Sequence, residues 1–503
     1  MDHIILSYYL PSLKVSIKDI LFIVFAGLYL ALLASQRLYP FIDLPNHLAE
    51  AVVYKNQDVF EGFYRVSERD STNGFYYHFC SMFSNIETGN KVYYSMYMML
   101  FLMIGYLIIR KWRGNTWFAL LLFPLLLNYN VTYGFVGFTL GIPFVLVIYC
   151  LLGNKDMMSR VGVAVLLMVL FYIHILCLLF ALFLVVACIF FENPRWNIFL
   201  RKIWIVIPAT GMIVYWYLSV RAFETGESTL TFLTHYYAEE FLLTYYKRAK
   251  IFAFDNLNLF SGTQGLMCGL FFTLVAFLPV LIWGYDHLSL SSVKAFFNQH
   301  RSIASLIFVS VICCFFLPDQ LPGQPVLYQR FSVFLTFSFV LMGSVLFRDR
   351  ENKRLTIVFT CIAAIHLLLW FDYFRDFNRI NEPFTKEIFT EIPSKEPMGG
   401  LITDCDFRGR PVYIHFPSYR IVWNNGIATT SLIDYRFGSV RRDVPFSILP
   451  QYQEWAGITY RFIPPEYKDL KYILVKGELE VFPQNAVSVA YSRDWKIIRK
   501  EGL

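Results

Sequence analysis

The stretch VGVAVLLMVLFYIHILCLLFALFLVVACIFF, residues 161–191, decides how the chain is threaded. It carries no acidic or basic side chain, and its one histidine, His174, stands near its middle. Crossing a hydrocarbon layer takes about 20 residues. The run is therefore either one long tilted helix or two short helices broken near His174. The lysines and arginines of the short loops choose between these, because such residues collect on one side of a membrane. With two helices, Arg110, Lys111 and Arg113, then Lys155 and Arg160, then Arg195, Arg201 and Lys202 fall together. Lys294 and Arg301, and then Arg348, Arg350, Lys353 and Arg354, join them on that side. With one helix the parity flips after residue 192 and the clusters divide. The split is the consistent reading.

Working outward from it, spans are expected near 17–36, 92–110, 115–128, 131–152, 160–173, 175–192, 201–220, 265–285, 301–317, 327–347 and 355–373. That makes an α-helical polytopic membrane protein of about eleven helices with a cytoplasmic N-terminus. Composition agrees: 56% of the 503 residues are hydrophobic and only 16% charged, against about 25% charged in a typical soluble chain. Mean hydropathy is +0.48. The first apolar run is longer than a signal-peptide core and has no small-residue cleavage site after it, so it reads as a retained span. The net charge of +7 is dispersed through loops, which speaks against a nucleic-acid partner. No Walker, Rossmann, HExxH or CxxC pattern occurs, which speaks against ATP hydrolysis and nicotinamide chemistry. Most of the nine cysteines sit inside apolar runs, where they act as small hydrophobes. Cys80 and Cys405 fall in outward regions, where an oxidising compartment would let them pair.

Three segments face outward: 37–91, 221–264 and everything after about 374. The first begins Tyr39-Pro-Phe-Ile-Asp43-Leu-Pro-Asn-His47. Asp43 followed by an early proline reads as a helix start, and Asp43 and His47 then share a helical face. A later stretch, Phe75-Tyr-Tyr-His78-Phe79, and the loop with Glu224, Glu227 and His235 suit helices lying in the membrane interface. The region 376–503 reads as a small soluble α/β domain beside a membrane domain of 1–375. Its strand-like runs are 411–415, 420–423 and 471–475, separated by glycine, asparagine and proline turns.

A first span entering an outward loop with an early Asp, many further spans and a soluble tail together resemble the GT-C superfamily of membrane glycosyltransferases. Asp43-Leu-Pro-Asn-His47 is similar to the Asp-x-Pro-x-His segment of bacterial members that use polyprenyl-phosphate sugars. Asn128-Tyr-Asn130 with Gly134-Phe135 resembles their aromatic-glycine turn, and Leu317-Pro318 to Gly323 with Arg330-Phe331 resembles a late element opening a span. The paired Asp-Glu of protein mannosyltransferases and the WWD-type motif of oligosaccharyltransferases are absent. The resemblance implies transfer of a sugar from a polyprenyl-phosphate donor to a glycan, lipid or protein acceptor of the cell envelope. It also implies residence in the bacterial inner (plasma) membrane with the tail extracytoplasmic.

That reaction needs a carboxylate to take the acceptor proton and cations or dipoles to hold the departing phosphate. Asp43 is the candidate base, against the plainer reading of a helix cap. His47, Arg330, His174, His78 and Gln329 are candidates for donor-phosphate or substrate binding. Arg330 suits a phosphate because its guanidinium stays charged and forked, or else it only snorkels at the boundary. His174 lines a cavity or is a satisfied turn residue. His366 and Asp372 read as structural. Cofactor need is open: Asp43 and His47 do not complete a coordination shell for a divalent metal. Two further readings are a polysaccharide polymerase or ligase, working through outer arginines and a histidine, and a lipid-linked sugar transporter or flippase. The latter is ranked last, because no internal repeat and almost no mid-span charge is present.

Overall fold

The computed structural model describes residues 16–66, 72–154, 156–192, 195–221, 236–237, 241–258, 262–286, 289–320, 326–349, 353–431, 438–455, 462–480 and 486–501. Among these the chain is mostly helical, and seven helical segments are long and apolar enough to cross a membrane. They are Ile17–Ala34, Ile86–Lys111, Ile175–Glu192, Trp196–Leu218, Thr263–Gly284, Tyr328–Leu346 and Arg354–Ile380. Ser291–Gln299 and Arg301–Phe316 form a further apolar pair bent by 104°. Two more, Val136–Leu152 and Met157–Ile173, are apolar but shorter. The expected span at 115–128 is instead a 3-10 turn, Thr116–Leu121, running into the short helix Leu122–Leu126.

The run 161–191 does break at His174. Met157–Ile173 and Ile175–Glu192 are separated by this one extended residue (φ −167°, ψ 123°). The loose backbone at the break is satisfied locally: the Leu176 N–H donates to His174 Nδ1 at 3.2 Å and the Ile175 N–H to Asn73 Oδ1 at 3.1 Å. The halves double back, since Ser159 and Arg160 meet Cys188 and Glu192 in one small cavity at their far ends. At that same end Lys111 Nζ donates to Asn154 Oδ1 at 2.6 Å, and Arg301 Nη1 donates to the Glu192 carbonyl at 3.0 Å. The short-loop residues Lys111, Arg160 and Arg301 thus share the end of the bundle remote from His174. Arg110 and Lys111 close their helix favourably, because cations complement the carbonyl end of the helix dipole.

The His174 end carries the non-spanning structure. The segment between the helices Ile17–Ala34 and Ile86–Lys111 holds the helices Leu44–Lys55 and Phe75–Ser81 and the short strand β1 (Tyr64–Val66). The C-terminal region forms a four-stranded sheet from β2 (Met398–Ile402), β4 (Tyr472–Lys476), β5 (Ala486–Ser492) and β6 (Trp495–Lys500), in the order β2-β4-β6-β5. β2 and β4 are parallel and the other pairs antiparallel. Strand 471–475 is found close to where it was expected. In the expected strand 411–415, residues 412–415 are consecutive turns, and Tyr419–Asn424 is a helix. Residues 412–421 are buried without a break, so there is no exposed face to reward the two-residue alternation of a strand.

The C-terminal region and this segment pack as one body. β1 pairs antiparallel with β3 (Val440–Arg442), in the register Val66 opposite Val440. The Tyr64 hydroxyl donates to the Ala428 carbonyl at 2.6 Å. Asn46 Oδ1 accepts from Ser418 and Thr430, and its amide donates to Ser431. Arg408 spans Asp372 and Asp376 of the last long helix at 2.9 and 3.0 Å, giving Asp372 the structural role expected of it. His366 is buried between Tyr29 and Trp370. Cys80 and Cys405 are both buried and unbridged.

Candidate functional site

Asp43 opens the Leu44–Lys55 helix, with Pro45 in the first turn where a missing N–H costs nothing. A carboxylate in that position usually accepts from the second or third helical N–H. Here it makes no capping hydrogen bond. Its backbone is held from the opposite side, since the Asp43 N–H donates to the Tyr133 carbonyl at 2.8 Å and the Ile42 N–H to that of Thr132 at 3.2 Å. Gly134 ends this second turn in the left-handed region (φ +84°). A Cβ on Gly134 would stand 2.7 Å from the Leu44 nitrogen and 3.1 Å from that of Asp43. The aromatic-glycine turn noted in the sequence therefore seats Asp43.

One turn along the same helix face comes His47, and nearly one more brings Glu50. His47 Nδ1 lies 2.8 Å from the Tyr77 hydroxyl. Burial drives the His47 imidazole down to about 4, against the pull of the Asp43 charge and with help from His415 and Arg330. Glu50 is only 2% exposed, and neither carboxylate oxygen makes a well-formed hydrogen bond. Burial raises its acid to about 8, with the Tyr77 hydroxyl opposing. At neutral pH both groups are predominantly uncharged.

Arg330 sits in the turn Tyr328–Phe331, at the start of a long apolar helix. Asn130 Nδ2 donates to its carbonyl at 3.0 Å and its Nε donates to the Val326 carbonyl at 2.8 Å. Its guanidinium lies 3.7 Å from the centroid of the Phe135 ring, a cation–π arrangement that fixes its position. His174 closes on the same space, where the lack of a side chain at Gly137 lets its ring approach.

The C-terminal region supplies the remaining wall. His415 is 5% exposed; its Nε2 stands 3.3 Å from Asp43 Oδ1 and 3.8 Å from Glu454 Oε1. Asp43, His47, Glu50, His174, Arg330, His415 and Glu454 all line one cavity of about 460 Å³, within the usual range for ligand pockets. It joins two partly exposed carboxylates, a buried carboxyl group, a buried cation and three imidazoles at one end of an apolar helix bundle. Such a set can accept a proton and hold an anion.

Of the residues singled out in the sequence, Asp43, His47, His174 and Arg330 converge here. His78 does not line the cavity; its Nε2 pairs with the Tyr54 hydroxyl at 2.8 Å. Gln329 is buried beside Arg330 but is not part of the cavity wall. Glu224, Glu227 and His235 lie outside the described residues. No group of three metal-ligating side chains occurs among the described residues. Glu50 was readable as the next turn of the Asp43–His47 face. His415 and Glu454 carried no local signal, because only the fold brings them to Asp43. Compared with family models, curated proteins and solved structures, the chain matches none.

Proposed function

We propose that this chain is a membrane glycosyltransferase of GT-C type, transferring a sugar from a polyprenyl-phosphate donor to an acceptor on the outer side of the membrane. The observation that carries the reading is the Asp43 carboxylate, placed as a helix cap yet capping nothing and turned to a cavity shared with Arg330. In this reading Asp43 takes the acceptor hydroxyl proton. Arg330 holds the departing phosphate, and neutral His47 and His174 complete the polar wall. His415 orients Asp43. Val136–Leu152, Met157–Ile173, Arg301–Phe316 and the broken segment 116–126, counted as passes beside the seven long helices, give the eleven-pass threading. The basic end of the bundle then faces the cytoplasm and the C-terminal region faces out. The lipid chain of the donor lies along the apolar helices while its sugar phosphate enters the cavity.

The test is donor consumption by purified full-length protein, followed by mass spectrometry across a panel of synthetic polyprenyl-phosphate sugars. Wild type is expected to consume at least one donor and Asp43→Asn none, with both equally folded. Full activity of Asp43→Asn removes Asp43 as the base. Consumption confined to pyrophosphate-linked oligosaccharides points instead to a polymerase or ligase.

A further inference from the structure

We propose that Glu50 contacts the sugar itself, its carboxyl group hydrogen-bonding a hydroxyl or amino substituent of the saccharide seated beside Asp43. This rests on the reading of the cavity as a sugar-transfer site and adds to it the group that selects the sugar.

Buried polar side chains are almost always paired, and each exception calls for a cause. Glu50 is underserved in this way, with both oxygens buried and only the Tyr77 hydroxyl beside them. It is not buried in an apolar core, because it lines the same cavity as Asp43 and His47. The Tyr77 hydroxyl beside it also bonds His47, at 2.8 Å, so it can give Glu50 at most one hydrogen bond for two oxygens. Among the described residues no cation is paired with Glu50: Lys55, five residues further along its helix, donates to the Ser84 carbonyl at 2.8 Å. A structural role would be met as well by an apolar side chain, since an unpaired buried carboxyl costs stability. A ligand that brings its own N–H or O–H groups removes that cost only when bound.

Position fits the same assignment. Glu50 lies seven residues after Asp43 on one helix face, about 10 Å along the axis. The reacting centre is at the Asp43 end, against Arg330, so Glu50 meets the part of the ligand away from the scissile bond. With its acid raised to about 8 by burial, Glu50 is mainly protonated near neutrality. It can then donate one hydrogen bond and accept others, as a hydroxyl-bearing ring requires. Sites built to pair a substrate hydroxyl discriminate strongly against analogues that lack it.

The experiment compares wild type, Glu50→Gln and Glu50→Leu, all full-length in detergent, with unfolding midpoints recorded for each. Two readouts are taken. One is kcat and KM for the polyprenyl-phosphate sugar consumed by wild type and for its single-deoxy analogues. The other is the midpoint shift produced by a panel of free hexoses, hexosamines and N-acetylhexosamines. The expected result is that one deoxy analogue costs wild type about 10- to 100-fold in kcat/KM. Glu50→Leu should lose about as much with the parent donor yet nothing further with that analogue. Glu50→Gln, which still offers a donor and an acceptor, should recover most of the loss. If wild type consumes a donor and both variants keep its KM and the full deoxy discrimination, Glu50 is not a sugar contact and the transferase reading stands. If no donor is consumed but a free sugar raises the midpoint of wild type and not of Glu50→Leu, the contact stands and the transferase reading falls. If no donor is consumed and no sugar shifts wild type, both fall.

Discussion

Replacing Gly134 by alanine should disable the site from outside it. The added methyl would stand 2.7 Å from the Leu44 nitrogen, 3.1 Å from the Asp43 nitrogen and 3.3 Å from the Asp43 carbonyl carbon. These are backbone atoms, so no side-chain rotation relieves the contact. Restoring 2.7 Å to an ordinary separation of about 3.4 Å moves one backbone segment by about 0.7 Å. The left-handed φ of +84° adds about 1–2 kcal/mol for any residue with a Cβ. Together these put the loss of stability at about 1–3 kcal/mol and the fall in the unfolding midpoint at a few degrees. A misplacement approaching 1 Å at a reacting group costs on the order of 100-fold in rate. Donor consumption by Gly134→Ala should therefore fall about 10- to 100-fold while the protein remains folded at assay temperature. Gly27→Ala is the control. Its Cβ would meet nothing within 4 Å, and alanine in a helix interior gains about 0.5–1 kcal/mol, so activity should be unchanged. Undiminished consumption by Gly134→Ala would refute the argument that this turn sets the position of Asp43. A loss no greater than the lost folded fraction would reduce the turn to scaffolding.

Further outcomes follow from the same geometry. Asp43→Ala should shift the unfolding midpoint by no more than about 1 °C, because no capping bond is lost; a drop matching the usual cap of about 1 kcal/mol would show that the carboxylate caps after all. His415→Phe should lower kcat about tenfold with KM nearly unchanged, as expected of a group that orients the base and does not bind donor; an unchanged kcat would remove it from the site. Glu50 and His47 give a pH signature in midpoints measured from pH 4 to 9. Glu50, raised from 4.5 to about 8 on folding, withdraws stability as pH rises through that window. His47, lowered from 6.5 to about 4, withdraws it as pH falls through its own. The two should cancel between about 4.5 and 6.5 and leave a decline toward pH 8 that Glu50→Gln abolishes. Finally, cysteines at the exposed Met82 and Met158, which lie at opposite ends of the bundle, should differ in intact cells. Met82→Cys should react with an impermeant maleimide and Met158→Cys only after permeabilisation; the reverse pattern would invert the proposed orientation.

Much of this was legible because it is local. The interval from Asp43 to His47 is one helical turn, and His174 interrupts an apolar run that is too long for a single crossing. Loop charge was enough to choose the hairpin. What escaped was set by distant packing. The Val-Tyr-Ile alternation before His415 reads as a strand only if one face is exposed, and burial on all sides turns it into consecutive turns. Residues 115–128 are apolar enough for a helix, but the Asn115 side chain accepts from the Trp117 N–H and a 3-10 turn starts the segment in place of a long helix. Nothing near His415 or Glu454 announces Asp43, because their meeting depends on Asn46 and the β1–β3 pair.

That pair also sets an order of events in the cell. β1 leaves the ribosome about 370 residues before its partner β3. At roughly 5–20 residues per second, its exposed edge waits about 20–75 s for a mate. During that interval Asp43 and Glu50 lack their C-terminal wall, and the segment that carries β1 offers an unpaired strand to any passing chain. The cavity is thus closed only when nearly the whole chain has been made, and a chain stopped short of β3 would leave the edge of β1 unpaired.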